Sequence, residues 1–419
     1  MGPHRGLEMG RADELGRWAE PISLDVVGPE LSVRLLEDVR AHLVRNGSDP
    51  GPMEVAAALR EQGLVLADDQ LARLTGLVRQ ELTGAGPLEH LLRCPGVTDV
   101  LVNGPDEVWL DRGTGLERTE LRLGDEAAVR RLAQRLAVSA GRRLDDASPY
   151  VDAQLPDGSR LHAVLPPLSV GGTVLSLRVP RRLAMSLADL AAAGALSGGM
   201  QATLASLARA KVALLVTGGT GSGKTTLLSA LVGAGDPTER VVVVEDCAEM
   251  VTDHPHVLRL QARPANVEGR GEVTMRELVR QALRMRPDRL VVGEARGAEI
   301  VELLAALNTG HEGGLATLHA NEVSDVPARV EALALPTGMP RGAVHAQLGA
   351  GVQAVVHVVR EAGARRVATL GWVRRGPTGV SVVPALTQTA DLRLLPGPAV
   401  EQLGARLGKA PWLVGPRES

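Results

Sequence analysis

The sequence predicts an α/β protein whose carboxyl-terminal half is a mostly parallel sheet flanked by helices, with a smaller α+β domain before it. Three observations carry that prediction. From about Ser197 onward, short wholly apolar runs (Val241 to Val244, Leu290 to Val292, Leu315 to Leu318) alternate with amphipathic stretches, the pattern of strands buried on both faces. A glycine-rich stretch, GGTGSGKTT at 218 to 226, stands between the apolar run Val212 to Val216 and the helix-like Leu227 to Leu231. Upstream, two Asn-Gly or Asp-Gly signals divide short alternating segments, as hairpin turns do.

Residues 1–28 read as a flexible leader and 29–84 as a helical segment, broken at 46–52 and 61–63. Residues 85–180 form the α+β domain. Within it Val100 to Val102 and Glu107 to Leu110 pair about an Asn103-Gly104 turn, Asp157-Gly158 marks a second turn, and Glu126 to Ala140 is a helix. Residues 181–195 are a linker, 196–387 the larger α/β domain, and 388–419 a peripheral tail, because the chain past Pro384 is rich in Pro and Gly. One helix start is legible in detail: Thr274 with Glu277 makes a capping box, and Met275, Leu278, Val279, Ala282 and Leu283 follow at helical spacing.

A chain of 419 residues exceeds one ordinary core. Its 46 Lys and Arg against 49 Asp and Glu, a net charge of -3, supply no broad basic field, so nucleic acid is not an expected partner. Two isolated cysteines, Cys94 and Cys247, make neither a disulfide framework nor a zinc knuckle. The first twenty residues lack a signal-peptide core, and no run approaches the ~20 apolar residues of a membrane span. A cytoplasmic protein, held at a membrane through partners if at all, is expected.

Gly218, Gly223, Lys224 and Thr225 match the P-loop pattern GxxxxGK[ST]. In such a loop, backbone N–H groups from Gly218, Gly219, Thr220, Gly221, Ser222 and Gly223 through Thr226 surround the phosphates of ATP; Lys224 reaches the β and γ oxygens, and the Thr225 hydroxyl takes Mg²⁺. Lys224, a loop lysine, is expected to be solvated when no phosphate is bound. Two apolar runs end in carboxylates, Val241 to Val244 in Glu245-Asp246 with Glu249 beyond, and Leu290 to Gly293 in Glu294. Set side by side, they can hold Mg²⁺ through water and polarise an attacking water. His319 closes a further apolar run, where it could report phosphate occupancy; neither it nor His311 has companions suited to metal binding.

The ordered stretches GGTGSGKTT, VVVVEDCAEM, LRLQARPANVEGRGEVTMRELVRQALRMRPDRLVVGEARG and NTGHEGGLATLHAN resemble the type II/type IV secretion traffic ATPases, and within them the tight-adherence (Flp) pilus assembly ATPases. The resemblance extends upstream through GPLEHLL, VTDVLVNGPDEVWLDR, SPYVDAQLPDGSRLHAVLPP and VLSLRVP, roughly residues 84 to 360. It implies a RecA-like P-loop domain in which Gly218 to Thr226 is the Walker A loop, Glu245 to Glu249 the Asp box, Leu290 to Glu294 the Walker B strand and Gly310 to His319 the His box. It further implies arginines on or near the phosphates: Arg160, Arg178, Arg263, Arg284 and Arg286. Val179-Pro180 departs from an expected Lys-Phe, and Cys247-Ala248 from the usual middle of the Asp box. The four-cysteine zinc module of some relatives is missing, which points to the tight-adherence and type IV secretion side.

The reading that follows is a Mg²⁺-dependent ATPase, a homo-hexamer driving an inner-membrane secretion or pilus platform. Glu245 is assigned to water activation and Glu294 to the Mg²⁺ side. Each nucleotide would sit between the α+β and RecA-like domains, whose closure about ATP is the working motion. Two alternatives stay open: a RecA-like DNA-translocating motor, which a 1% aromatic content disfavours, and a non-catalytic nucleotide-binding assembly factor.

Overall fold

A computed structural model describes residues 35, 38–39, 41–43, 45–46, 51–62, 71–72, 74–76, 78, 84–113, 115–180, 183–265, 269–310, 312–361, 363–377, 379–408 and 410–413. The leader assigned to 1–28 lies outside them, as does His311. The chain divides into two compact units, one of Met1–Leu110, Glu117–Val151 and His162–Ser176, the other of Asp111–Leu116, Asp152–Leu161 and Leu177–Ser419.

In the first unit, helix α1 (Pro52–Glu61) and the described helical residues between 35 and 78 bury Val39, Val55, Leu59 and Val78 together. After the short helix α2 (Glu89–Leu92) come strands β1 (Asp99–Gly104), β2 (Glu107–Asp111), β3 (Leu116–Arg118), β4 (Tyr150–Gln154), β5 (Arg160–Val164) and β6 (Val174–Arg178). They form one sheet in the order β3-β2-β1-β6-β5-β4, of which residues 111, 116, 152–154, 160–161 and 177–178 are counted with the second unit. Helix α3 (Glu126–Ser139) starts at Asp125, whose side chain accepts from the Ala128 N–H, and buries Val129, Leu132, Ala133, Leu136 and Ala137. Asn103 and Gly104 belong to β1 itself, and the first turn is centred on Pro105-Asp106. That corrects the expected turn position: Pro105 has no N–H for a strand ladder, so the chain turns there. The second turn stands at Asp157-Gly158, where Gly158 adopts φ 90°.

The second unit is built on a nine-stranded sheet: β7 (Leu214–Gly218), β8 (Val241–Glu245), β9 (Val257–Gln261), β10 (Arg289–Val292), β11 (Leu315–Leu318), β12 (Ala354–Glu361), β13 (Ala364–Gly376), β14 (Gly379–Gln388) and β15 (Leu394–Pro396). The order is β15-β14-β13-β12-β7-β11-β10-β8-β9. From β12 to β9 every pair is parallel, and β12 to β15 run antiparallel. Helices are α4 (Leu187–Ala192), α5 (Gly198–Arg209), α6 (Lys224–Gly233), α7 (Met275–Ala282), α8 (Glu299–Leu307), α9 (Val326–Ala334), α10 (Arg341–Gly351) and α11 (Val400–Leu407).

Two cores lie on opposite faces of this sheet, which explains the wholly apolar runs. Leu214, Val216, Val241 and Val243 pack with α5, α6 and α11 in one, and Leu215, Val242 and Val244 with α7 to α10 in the other. Successive strand residues point to opposite faces, so both must be apolar; each fully buried valine or leucine stabilises by roughly 1.5–3 kcal/mol.

Two boundaries differ from expectation. The linker contains α4, opened by a capping box of Ser186 and Asp189. The tail is integral to the fold: β15 extends the sheet, Ala399 and Leu403 are buried, and Leu394 and Trp412 pack against α5 at Gly199, where a Cβ would lie 2.7 Å from Leu394 Cδ1. Gly and Pro there serve close approach, Gly397 meeting Pro384 where a Cβ would stand 2.4 Å from the Pro384 carbonyl oxygen.

Candidate functional site

Strand β7 is buried throughout and delivers the chain to Gly218 at φ 148°. A Cβ at Gly218 would fall 2.2 Å from the Val358 carbonyl oxygen on β12 and 2.7 Å from Ser222 Oγ. Gly221 (φ 69°) and Gly223 (φ 100°) take left-handed backbone, and Gly223 caps α6, so the loop's sharp return needs glycine at these points. Gly219, Thr220 and Gly221 form its exposed tip, Ser222 Oγ donates to the Gly219 carbonyl at 2.9 Å, and Thr225 and Thr226 are half-buried in the first turn of α6. The positive end of that helix faces the loop.

Lys224 corrects one expectation. It is buried rather than solvated: Nζ donates to the carbonyls of Gly218 at 3.1 Å and Gly219 at 2.8 Å and lies 3.4 Å from His319 Nδ1. Burial holds its ammonium below the usual lysine range, with Arg296 adding to the effect and Glu294 opposing it.

Strand order sets the carboxylates beside this loop, because β11 lies next to β7, followed by β10 and β8. Thr317 Oγ1 donates to the Gly293 carbonyl at 2.6 Å, tying β11 to the end of β10. His319 then bridges: its Nδ1 lies 3.4 Å from Lys224 Nζ, which has only donors, and its Nε2 lies 2.7 Å from Glu294 Oε1. That oxygen is buried without an aligned hydrogen bond. Arg296, which sequence reasoning passed over, donates to Glu294 Oε2 at 2.7 Å and to Asp246 Oδ2 at 2.8 Å. Burial alone would raise the Glu294 carboxyl, but the Arg296 hydrogen bond and the charges of Arg296, His319 and Lys224 carry it below the ordinary range. His319 is lowered, chiefly by burial and then by Lys224.

Glu245 has a different setting. It is buried, Oε1 accepts from the N–H groups of Glu249 at 3.1 Å and Met250 at 2.8 Å, and Oε2 accepts from Arg259 at 2.9 Å. Both oxygens therefore hold the loop after β8. Gly293 packs on this carboxylate, where a Cβ would lie 2.8 Å from Glu245 Cγ. Arg259 comes from β9, opposite Val243, a pairing that no spacing in the sequence discloses.

Arg160 grips Asp152 with two parallel bonds, 3.0 and 2.8 Å, and places NH1 4.0 Å from Glu249 Oε1. These residues and Arg178 all belong to the second unit. Burial raises the Glu249 carboxyl, and Arg178 and then Arg160 oppose that rise. Arg263 follows β9 and donates to the Gly271 carbonyl at 2.7 Å. Arg284 and Arg286 are exposed and precede β10, at the sheet end opposite the P-loop; Asp288 bonds the Arg240 N–H at 2.8 Å. Among the described residues, none of Arg263, Arg284 and Arg286 bonds the P-loop of its own chain.

A P-loop entering a helix from a central parallel strand, with carboxylates ending the strands two and three places away, defines a RecA-like nucleotide-binding domain. The chain belongs to the type II/IV secretion system protein family, whose model matches residues 81–374. It is 57% identical over 326 residues to a putative conjugal transfer protein of Mycobacterium tuberculosis, covering 76% of this chain and 93% of that one. It is 33% identical over 312 residues to the type IV secretion system protein PtlH of Bordetella pertussis, covering 67% of this chain and 91% of PtlH. Among solved structures it is similar to the VirB11 ATPase of the Brucella suis type IV secretion system in complex with sulphate, at 26% identity, 68% of this chain, 95% of that chain and a TM-score of 0.36.

Proposed function

We propose that the chain is an ATPase motor that hydrolyses ATP to drive pilus assembly or protein secretion through an inner-membrane platform. It works in the cytoplasm as a homo-hexamer, attached to the membrane through that platform; among the described residues no helix is long and apolar enough to cross a membrane. The tight-adherence branch is favoured by the order of the motifs, while a chain with only two cysteines points to the tight-adherence and type IV secretion side together.

The observation that carries this reading is the chain of contacts from Lys224 through His319 to Glu294 at the mouth of the P-loop. An anion arriving there offers Lys224 a charged acceptor in place of two neutral carbonyls, a stronger bond. The movement of Lys224 changes the partner of His319 Nδ1, and His319 passes the change to Glu294 through Nε2. Thr225 and Glu294 are the residues that would hold Mg²⁺: the buried Glu294 Oε1 lacks an aligned partner. Among the described residues no group of three or more acidic, His or Cys side chains is placed to hold a metal ion. When bound, Mg²⁺ supplies Lewis-acid polarisation of the phosphoryl group.

Arg160 and Arg178 are assigned to the phosphates, Arg160 lying 4.0 Å from Glu249 of the same chain, while Arg263, Arg284 and Arg286 are assigned to the phosphates of a neighbouring copy. Lys224→Ala tests the reading directly. It should abolish binding of a fluorescent ATP analogue and ATP turnover; unchanged affinity would remove the P-loop assignment.

A further inference from the structure

Strand β7 has two neighbours. On the β11 side stand His319 and Glu294, so the reactive end of a bound triphosphate must face that way. The β12 side therefore meets the phosphates nearer the nucleoside. Val358 of β12 is in register with Gly218, so the next residues of β12 run on past the P-loop strand, and Arg360 pairs with Arg365 across the β12–β13 ladder. Arg365 Nε donates to the Gly221 carbonyl at 2.9 Å. Its Cδ lies 3.4 Å from where a Gly223 Cβ would be, and Arg360 NH1 lies 3.5 Å from the corresponding point at Gly221. Arg360 NH2 is anchored to the Gly113 carbonyl at 3.1 Å, and all these residues belong to the second unit.

We infer that Arg365, flanked by Arg360, is a phosphate-binding residue of this P-loop that closes over the nucleoside side of a bound nucleoside di- or triphosphate. The inference rests on the nucleotide-binding reading above. Arg365 gives up the neutral Gly221 carbonyl for a phosphate oxygen, and its guanidinium fork suits phosphate better than an ammonium does. Arg360, held by Gly113, adds a second positive charge at the loop tip. Neither arginine belongs to the P-loop pattern, so the motif alone assigns them nothing.

The test is equilibrium binding of ADP to the full chain, with parent, Arg365→Ala, Arg365→Lys and Arg360→Ala proteins compared. Arg365→Ala should weaken ADP by about 10- to 100-fold, the loss expected for one charge-assisted contact. The KM for ATP should rise by the same factor, the mark of a contact made equally with substrate and transition state. Arg365→Lys should recover part of the loss, which a role in merely capping Gly221 would not require. Arg360→Ala, whose hydrogen bond lies outside the P-loop, should weaken ADP about threefold or more by loss of a nearby charge, and it carries the test if Arg365→Ala fails to fold. ADP bound as tightly by folded arginine variants as by the parent would overturn the inference. A parent protein that binds no ADP would instead overturn the nucleotide reading beneath it.

Discussion

Glu245 and Glu294 are alike as strand-end carboxylates in the sequence and unlike once folded. Glu245 spends both oxygens on two backbone N–H groups and on Arg259, whereas Glu294 keeps one buried oxygen beside His319 without an aligned bond. Glu294→Gln should therefore retain ATP while slowing hydrolysis by ~10²-fold or more in single turnover, and it should lose less stability than Glu245→Gln, because Arg296 keeps its bond to Asp246. Glu245→Gln turns an NH₂ group toward donors and leaves Arg259 uncompensated, so it should lose about 1–3 kcal/mol of stability in addition to activity. Thermal unfolding of both variants distinguishes the roles. Equal midpoints would return Glu245 to the status of a free water-activating base.

At the scale of elements, the start of α7 is the clearest case of local chemistry deciding structure. Thr274 Oγ1 accepts from the Glu277 N–H at 3.2 Å, and Glu277 Oε2 accepts from the Thr274 N–H at 2.8 Å, so two orphan donors are satisfied reciprocally. Thr274→Ala should cost about 1 kcal/mol, read as a lower denaturation midpoint at unchanged slope. ADP affinity should not change, because α7 packs against the core and not against the P-loop. The loop itself is governed by contact between elements: β12 presses on Gly218 closely enough that no side chain fits.

Among the described residues, Arg284 and Arg286 are exposed and bond nothing at the P-loop of their own chain. Arg284 and Arg286 precede β10 while the P-loop follows β7, and parallel strands put these at opposite ends of the sheet. A site finished by a neighbour's arginines should be a poor enzyme when dilute. Specific activity should rise with protein concentration, and sedimentation with a non-hydrolysable ATP analogue should reveal a six-fold species. Full turnover by a strictly monomeric protein would sink the ring assembly.

What could be read without coordinates were features whose cause is local. The P-loop depends on glycines and a lysine at fixed spacing, the α7 capping box on two residues three apart, and strands β8, β10 and β11 on continuous apolar runs that both faces of a sheet require. Composition misled at the carboxyl end, where Pro and Gly suggested a peripheral tail although Gly397 and Gly199 permit close packing of β15, α11 and Trp412. Partners distant in sequence were illegible: Arg259 for Glu245, Arg296 across Glu294 and Asp246, and Arg365 over Gly221. Strand order alone brings them together, since a hydrogen bond across a sheet is set by which strands are neighbours and leaves no period in the chain. The burial of Lys224 has the same origin, because its acceptors are carbonyls that only the folded loop turns toward it.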